Sequence, residues 1–255
     1  MIKLLVTNGC SMTAGEELDS PRTQAWPVLL ARALGVELVN MGLGGGSNRR
    51  IVRTTVATLP ALCEQRSIAP EETLVVCTWT RPDRTEHFDP GFTRRRSEFD
   101  ADVNWRVIGP FNDSRDKQAK AFYRHLWSEE GQIGSFLLEW ILLDSFLRLR
   151  GYVSRYAFAY RDVTALPTTP SLRGLPGQID RTTVFGEFPV GEGMAFDDMT
   201  LDLPRAPRNH PLTEGHHRFA GALADWLAAD PEVGPALPAL RRADGDVVAD
   251  RDTSR

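Results

Sequence analysis

The sequence predicts an α/β fold, a three-layer αβα sandwich around a central, mostly parallel sheet. Three observations predict it. Short apolar runs rich in β-formers alternate with segments of helical spacing. The runs are continuously apolar, as strands covered on both faces must be. Their order along the chain suits a parallel sheet with right-handed crossovers. At 255 residues, with 42% hydrophobic and 25% charged side chains, the chain can bury a large core as one such domain.

The first strand is Ile2 to Thr7, closed by Asn8-Gly9. Ala25 to Leu34 has helical spacing and stops at Gly35. Val36 to Val39 is a second short strand, followed by the glycine-rich turn Gly42 to Gly46. Ser47 is placed to cap a helix through about Cys63, and Thr73 to Thr78 is the third strand. From Arg81 to about Gly131 the pattern breaks into an insertion punctuated by Pro82, Pro90, Gly91, Gly109 and Pro110, with some helix near Asp116 to Trp127. Insertions of this length commonly serve as lids or binding loops. A helix from Ile133 to Leu149 and a strand from Tyr152 to Phe158 follow. Arg161 to Asn209 is rich in loops, and the last helix runs from about Thr213 to Ala229. One domain therefore spans residues 1–230, interrupted at about 81–131, and residues 231–255 form a partly flexible tail.

Composition narrows the function. A net charge of −4 offers no basic footprint for nucleic acid. Arg94, Arg95 and Arg96 cluster, but Glu98, Asp100 and Asp102 follow at once, so the stretch reads as a solvated loop paired with itself. No apolar stretch reaches membrane-spanning length, and the N-terminal run is too short for a secretory signal. Three cysteines at irregular spacing suit neither a disulfide framework nor a zinc site, so Cys63 and Cys77 are expected to be buried thiols. A cytoplasmic location is expected, with no cofactor, no metal and no membrane or nucleic-acid partner.

Three segments carry chemistry, and all fall at the carboxyl ends of strands, where open α/β sheets bind ligands. Gly9-Cys10-Ser11-Met12-Thr13-Ala14-Gly15 follows the first strand. A serine on such a turn can present its hydroxyl at the sheet edge, or can simply cap the next helix. Asn40 to Asn48 follows the second strand and contains four glycines. Glycine lets a backbone N–H approach a ligand closely at the foot of a helix. A dinucleotide site would instead need its fingerprint after the first strand. Asn209-His210-Pro211 enters the last helix, and Pro211 holds His210 on a loop. His216 and His217 lie within that helix and read as packing or surface residues. Cys10 is a rival nucleophile whose side chain should point away from that of Ser11.

Together these segments resemble the SGNH/GDSL hydrolase family, across residues 2–80 and 205–229. Its G-D-S motif corresponds to Gly9-Cys10-Ser11, its Asn-x-Gly-x-x-Gly turn to Asn40, Gly42 and Gly45, and its last motif to His210-Pro211 with Gly215-His216 and Ala220. The resemblance implies a flavodoxin-like SGNH hydrolase fold with Ser11 as nucleophile and His210 as general base. It implies an oxyanion hole from the amides of Ser11 and Gly45. The family's third motif offers an asparagine after the third strand; Thr80 stands in that place, with Asn48 as a second possible donor. The family's aspartate three residues before the histidine is replaced by Pro207. The orienting group must then be a backbone carbonyl or another acid of the Arg161 to Asn209 loop, with Asp202 the first choice. Trp79 and Arg84, beside the end of the third strand, are expected to bind substrate, with Arg81 and Trp105 further candidates for the pocket mouth.

The implied activity is cleavage of an ester or related acyl bond in a small acylated metabolite through an acyl-enzyme. Acyl transfer by the same machinery is an alternative if the insertion excludes water. A binding protein that kept the fold without turnover is another, motivated by the missing aspartate.

Overall fold

The computed structural model describes residues 1–92, 98–99, 104–112, 116–161, 166–189 and 194–238. Strands β1 (Leu4–Asn8), β2 (Glu37–Asn40), β3 (Thr73–Trp79) and β6 (Val153–Phe158) form a parallel sheet in the order β2-β1-β3-β6. Between β1 and β2 lie the short helices α1 (Ser11–Ala14) and α2 (Pro21–Gln24) and then α3 (Trp26–Leu34). Helix α4 (Asn48–Arg66) joins β2 to β3, α6 (Glu129–Leu149) precedes β6, and α7 (Thr213–Ala229) closes the domain. This is the three-layer αβα sandwich the sequence predicts.

Period-two alternation along the strands builds a core on each face. Leu4, Val6, Val75, Cys77, Trp79, Tyr156 and Phe158 turn to one face, against Ile51 and Leu59 of α4 and Phe136, Trp140 and Leu143 of α6. Leu5, Leu74, Val76 and Ala157 turn to the other, against Trp26 and Leu30 of α3 and Phe219, Leu223 and Leu227 of α7. Every residue of β1 and β3 is buried, which is why those runs show no polar alternation. Ser47 caps α4 as expected, its hydroxyl accepting from the Arg50 amide at 3.2 Å.

Because β1 leaves toward β2 on one side and β3 lies on its other side, the crevice at their carboxyl ends is the natural ligand site of the sheet. Several side chains stiffen that edge. Asn8, at the end of β1, donates to the Ile51 carbonyl and to the hydroxyls of Thr54 and Thr55 at 2.9–3.2 Å, tying the strand to α4.

The described parts of the insertion carry more secondary structure than its punctuation suggests. Strands β4 (Thr85–Phe88) and β5 (Trp105–Ile108) pair as an antiparallel hairpin, followed by α5 (Lys117–His125). The hairpin docks on α4 through buried Glu86, whose carboxylate takes two bonds from Arg53 at 2.6 and 3.0 Å. The Arg53 guanidinium in turn lies 4.4 Å from the Trp105 ring centroid. A partner on a distant helix made these short strands, a signal that periodicity within the segment does not carry. Arg94, Arg95, Arg96, Asp100 and Asp102 lie outside the described residues.

The chain after α7 is also held. Val233 and Leu237 are buried, the Ile2 amide donates to the Ala236 carbonyl at 2.7 Å, and Asp230 accepts two bonds from Arg155 of β6 at 2.7 and 2.8 Å. The first part of the tail expected at 231–255 is therefore packed, as far as Pro238; residues 239–255 lie outside the described residues. No described helix is long and apolar enough to cross a membrane.

Candidate active site

Ser11 opens α1 immediately after the β1 turn and is almost fully buried. Its carbonyl accepts from the amides of Gly15 and Glu16 at 3.0 and 3.1 Å, which folds the chain back on itself just past the serine. Cys10 is fully buried in the core cluster that holds Met12 and Trp26, and its thiol also lies near Arg84 and Tyr160.

The glycine turn after β2 is clamped to this loop by Asn40. Its Nδ2 donates to the Thr13 carbonyl at 2.9 Å, and its Oδ1 accepts from the Gly42 amide at 2.9 Å. Gly42 is forced by the close approach, since a β carbon there would stand 2.8 Å from the Ala14 nitrogen. Gly45 has φ of +70°, a backbone region that side chains disfavour. Ser11 and Gly45 both line a cavity of about 390 Å³ together with Glu16, Gly44, Arg84, Phe111, Tyr160, Arg208 and His210. Within the protein, neither the Ser11 nor the Gly45 amide has an acceptor among the described residues.

His210 reaches this cavity from the other end of the chain. Its Nδ1 lies 2.6 Å from Oε2 of Glu17, the residue six positions after Ser11. The Arg208 amide donates to both Glu17 oxygens at 3.1 Å, and Glu16 Oε2 stands 4.0 Å from His210 Nε2. Burial works to raise the Glu17 carboxyl, but the bonds from His210 and the Arg208 amide outweigh it and hold it below the usual carboxylate range. Unusual backbone frames this contact: Glu17 has φ of +66° and Asn209, just before the histidine, has φ of +67°. A left-handed non-glycine residue costs about 1–3 kcal/mol and persists where the surroundings over-determine it. Asparagine tolerates the region; glutamate is the outlier.

Tyr160, two residues beyond β6, completes the wall beside the serine. Burial pushes its phenol up and the Cys10 thiol adds to this, while hydrogen bonding with Arg84 and Ser11 works the other way. The Arg84 guanidinium stands 5.4 Å from the Tyr160 ring centroid and 5.7 Å from that of Phe111. Phe111 follows β5, so the insertion reaches the cavity through both Phe111 and Arg84.

Several expected site residues lie elsewhere. Asp202 does not hold the imidazole; its carboxylate pairs with Arg218 of α7 at 2.5 and 3.1 Å, in solvent. Thr80 is buried with its hydroxyl unpartnered and is absent from the cavity wall. Its backbone N–H and carbonyl are taken by the Asn48 side chain at 2.8 and 2.9 Å, so Asn48 is no free donor either. Trp79 is a core residue: alternation along β3 turns it with Val75 and Cys77 into a cluster with Phe136, Trp140 and Tyr156. Arg81 pairs with Asp83, and Trp105 packs under Arg53. His216 is buried, accepting from the Trp26 amide at 3.0 Å, and His217 is exposed, as packing and surface residues would be.

Glu17 and Tyr160 were the residues sequence reasoning passed over. The Glu16-Glu17 pair just after Gly15, inside the serine loop, was the available signal for the first. Nothing in the local sequence marked Tyr160 beyond its place after a strand.

Residues 14–236 match a family of unknown function, DUF6071. The chain belongs to that family. The matched DUF6071 span takes in Glu17, Arg84, Tyr160 and His210. No curated protein matches the chain. Among solved structures, this DUF6071 member is similar to the psychrotrophic esterase EstA from Pseudoalteromonas sp., with TM-score 0.47 and 12% identity over 89% of this chain and 97% of that one. It is similar to TesA, with TM-score 0.48 and 15% identity over 89% and 99% of the two chains. A third is the salicylyl-acyltransferase SsfX3 from a tetracycline biosynthetic pathway, with TM-score 0.45 and 14% identity over 90% of this chain and 55% of that one.

Proposed function

We propose that the protein is an SGNH-type serine hydrolase that cleaves an ester or related acyl bond of a small metabolite, with Ser11 as nucleophile and His210 as general base. The observation that carries this reading is the meeting of Ser11 and His210 on one cavity, with the second imidazole nitrogen anchored 2.6 Å from a carboxylate. An anchored Nδ1–H leaves Nε2 as the nitrogen that accepts a proton from the serine. The serine oxygen then attacks the substrate carbonyl, forming a tetrahedral oxyanion that collapses to an acyl-enzyme as the leaving group takes the proton from His210. Water activated by the same imidazole releases the acid and restores the serine. The unpaired amides of Ser11 and Gly45 supply the oxyanion donors, each worth about 10²–10³ in rate. Glu17 is the positioning residue of this scheme, in the role the family gives to an aspartate before the histidine.

The same machinery serves acyl transfer if an alcohol or amine replaces water. The insertion lines one side of the cavity with Phe111 and Arg84, a position from which it can limit the entry of water, and this supports the second reading. The binding-protein reading rested on a missing orienter; the Glu17 contact offers one and so supports the hydrolase reading over it. A cytoplasmic setting remains part of the proposal; the three cysteines are free and buried.

A fluorophosphonate probe tests the nucleophile. Labelling is expected at Ser11 in the folded protein and is expected to vanish in Ser11→Ala. Labelling that maps to another serine, or none with either protein, removes the hydrolase reading.

A further inference from the structure

Cleaving a simple ester requires a nucleophile, a base and oxyanion donors. The cavity holds one more group that this chemistry leaves unused. Arg84 lines the wall shared with Ser11, yet its Nε and Nη1 are buried without any hydrogen-bond acceptor. Among the described residues no carboxylate forms an ion pair with it; its company is the rings of Tyr160 and Phe111, the Tyr160 hydroxyl, the Cys10 thiol and, at longer range, Asp83, which is paired with Arg81. Other arginines of similar burial are answered: Arg155 by Asp230 and Glu232, and Arg53 by Glu86.

Two buried guanidinium N–H groups left without acceptors cost the folded chain stability, and aromatic faces repay only a part. Cys10, Tyr160 and Asp83 together favour its charge, yet none of them supplies an acceptor for Nε or Nη1. Arg208 shares the cavity but is largely exposed and its charge is met by Glu17 at 3.6 Å. Glu16 lies by His210 and pairs with neither arginine. Behind Arg84 a second cavity of about 200 Å³ holds Glu139, but burial pushes that carboxyl up to about 7, so it is only partly charged at neutral pH. Buried donors left open on a cavity beside a reactive serine make a candidate binding position.

We propose that the substrate cleaved at Ser11 carries an anionic group, a carboxylate or a phosphate, that seats against Arg84. This rests on the hydrolase reading for where the scissile bond lies, though not for the anion subsite itself. An anion there completes the hydrogen bonding of the guanidinium, and the volume of the cavity confines the substrate to a small molecule.

The test pairs anionic esters with neutral ones of the same shape. One pair, p-nitrophenyl hemiglutarate and its terminal amide, places the charge on the acyl part. The other, meta-carboxyphenyl acetate and meta-carbamoylphenyl acetate, places it on the leaving group. Free glutarate and inorganic phosphate are titrated calorimetrically in parallel, which separates the two anion classes. Wild type is expected to prefer the charged member of one pair by about 10- to 100-fold in kcat/KM, the scale of a buried charge-assisted bond. In Arg84→Met that ratio should collapse toward one and anion binding should disappear, while Arg84→Lys should recover part of both. If neutral and charged esters are cleaved equally and neither anion binds, the anion subsite is wrong and the hydrolase reading stands. If no ester is cleaved and Ser11 is not labelled, yet Arg84-dependent anion binding is found, the subsite stands and the hydrolase reading falls. Loss of both cleavage and binding in wild type overturns both.

Discussion

Glu17 reaches His210 because the chain turns back at Gly15 and because Glu17 itself accepts a left-handed backbone. One carboxylate then satisfies an imidazole nitrogen and a backbone amide at once, which repays part of the local strain. Glu17→Gln keeps the size of the side chain and removes its charge, so in the proposed mechanism the imidazolium formed during attack loses its support. On a neutral ester, kcat is expected to fall by about 10²- to 10⁴-fold with little change in KM, and Glu17→Asp should recover some of the loss. Steady-state kinetics on variants shown to melt near the wild-type temperature decide it. An unchanged kcat would remove Glu17 from the mechanism.

At the scale of elements, α7 packs on α3 partly through a polar contact inside an apolar interface. His216 accepts from the Trp26 amide, caught where α3 begins, and stands edge-on to Phe196. Burial drives its pKa from 6.5 down to about 3, with the charges of His210 and His217 acting the same way. The native state thus resists a proton that the unfolded chain takes up. The stability this protects is complete above the unfolded value of 6.5 and drains as pH falls toward about 3. The slope approaches about 1.4 kcal/mol per pH unit within that window. His216→Asn retains an acceptor for the Trp26 amide and cannot titrate. Urea unfolding across the window should show a flatter acid limb for the variant than for wild type; parallel limbs would mean His216 does not govern it.

For the whole molecule, the closure of the chain depends on a buried ion pair. Arg155 of β6 and Asp230 after α7 are each only 4% exposed at the side chain, and Asp230 also accepts from the amides of Glu232 and Val233. This brings the chain back under β1, where the Ile2 amide meets Ala236. Asp230→Asn leaves Arg155 buried with its charge unmet except by exposed Glu232, and is expected to cost about 3–5 kcal/mol. For a domain of this size that lowers Tm by on the order of 10 °C. A shift within the error of differential scanning fluorimetry would show that the pair carries no stability.

What the sequence by itself determined is the local and periodic part. Unbroken apolar runs mark strands covered on both faces, the asparagine-glycine turn and the serine turn mark the ends of β1 and β2, and His210-Pro211 marks a loop histidine ahead of α7. Each is written in neighbours a few residues apart, because dihedral preference and burial period are local properties. The tertiary structure alone decided who meets whom. Trp79 and Thr80 were legible as the end of β3, but whether a side chain at a strand end faces a core or a cavity depends on the helices laid across it. Asp202 and Glu17 are equally acidic in sequence, and only the docked loop brings one to His210 and the other not. The contact joins residues 193 positions apart. A bond across that distance follows from the packing of the whole sandwich, which no window of sequence contains.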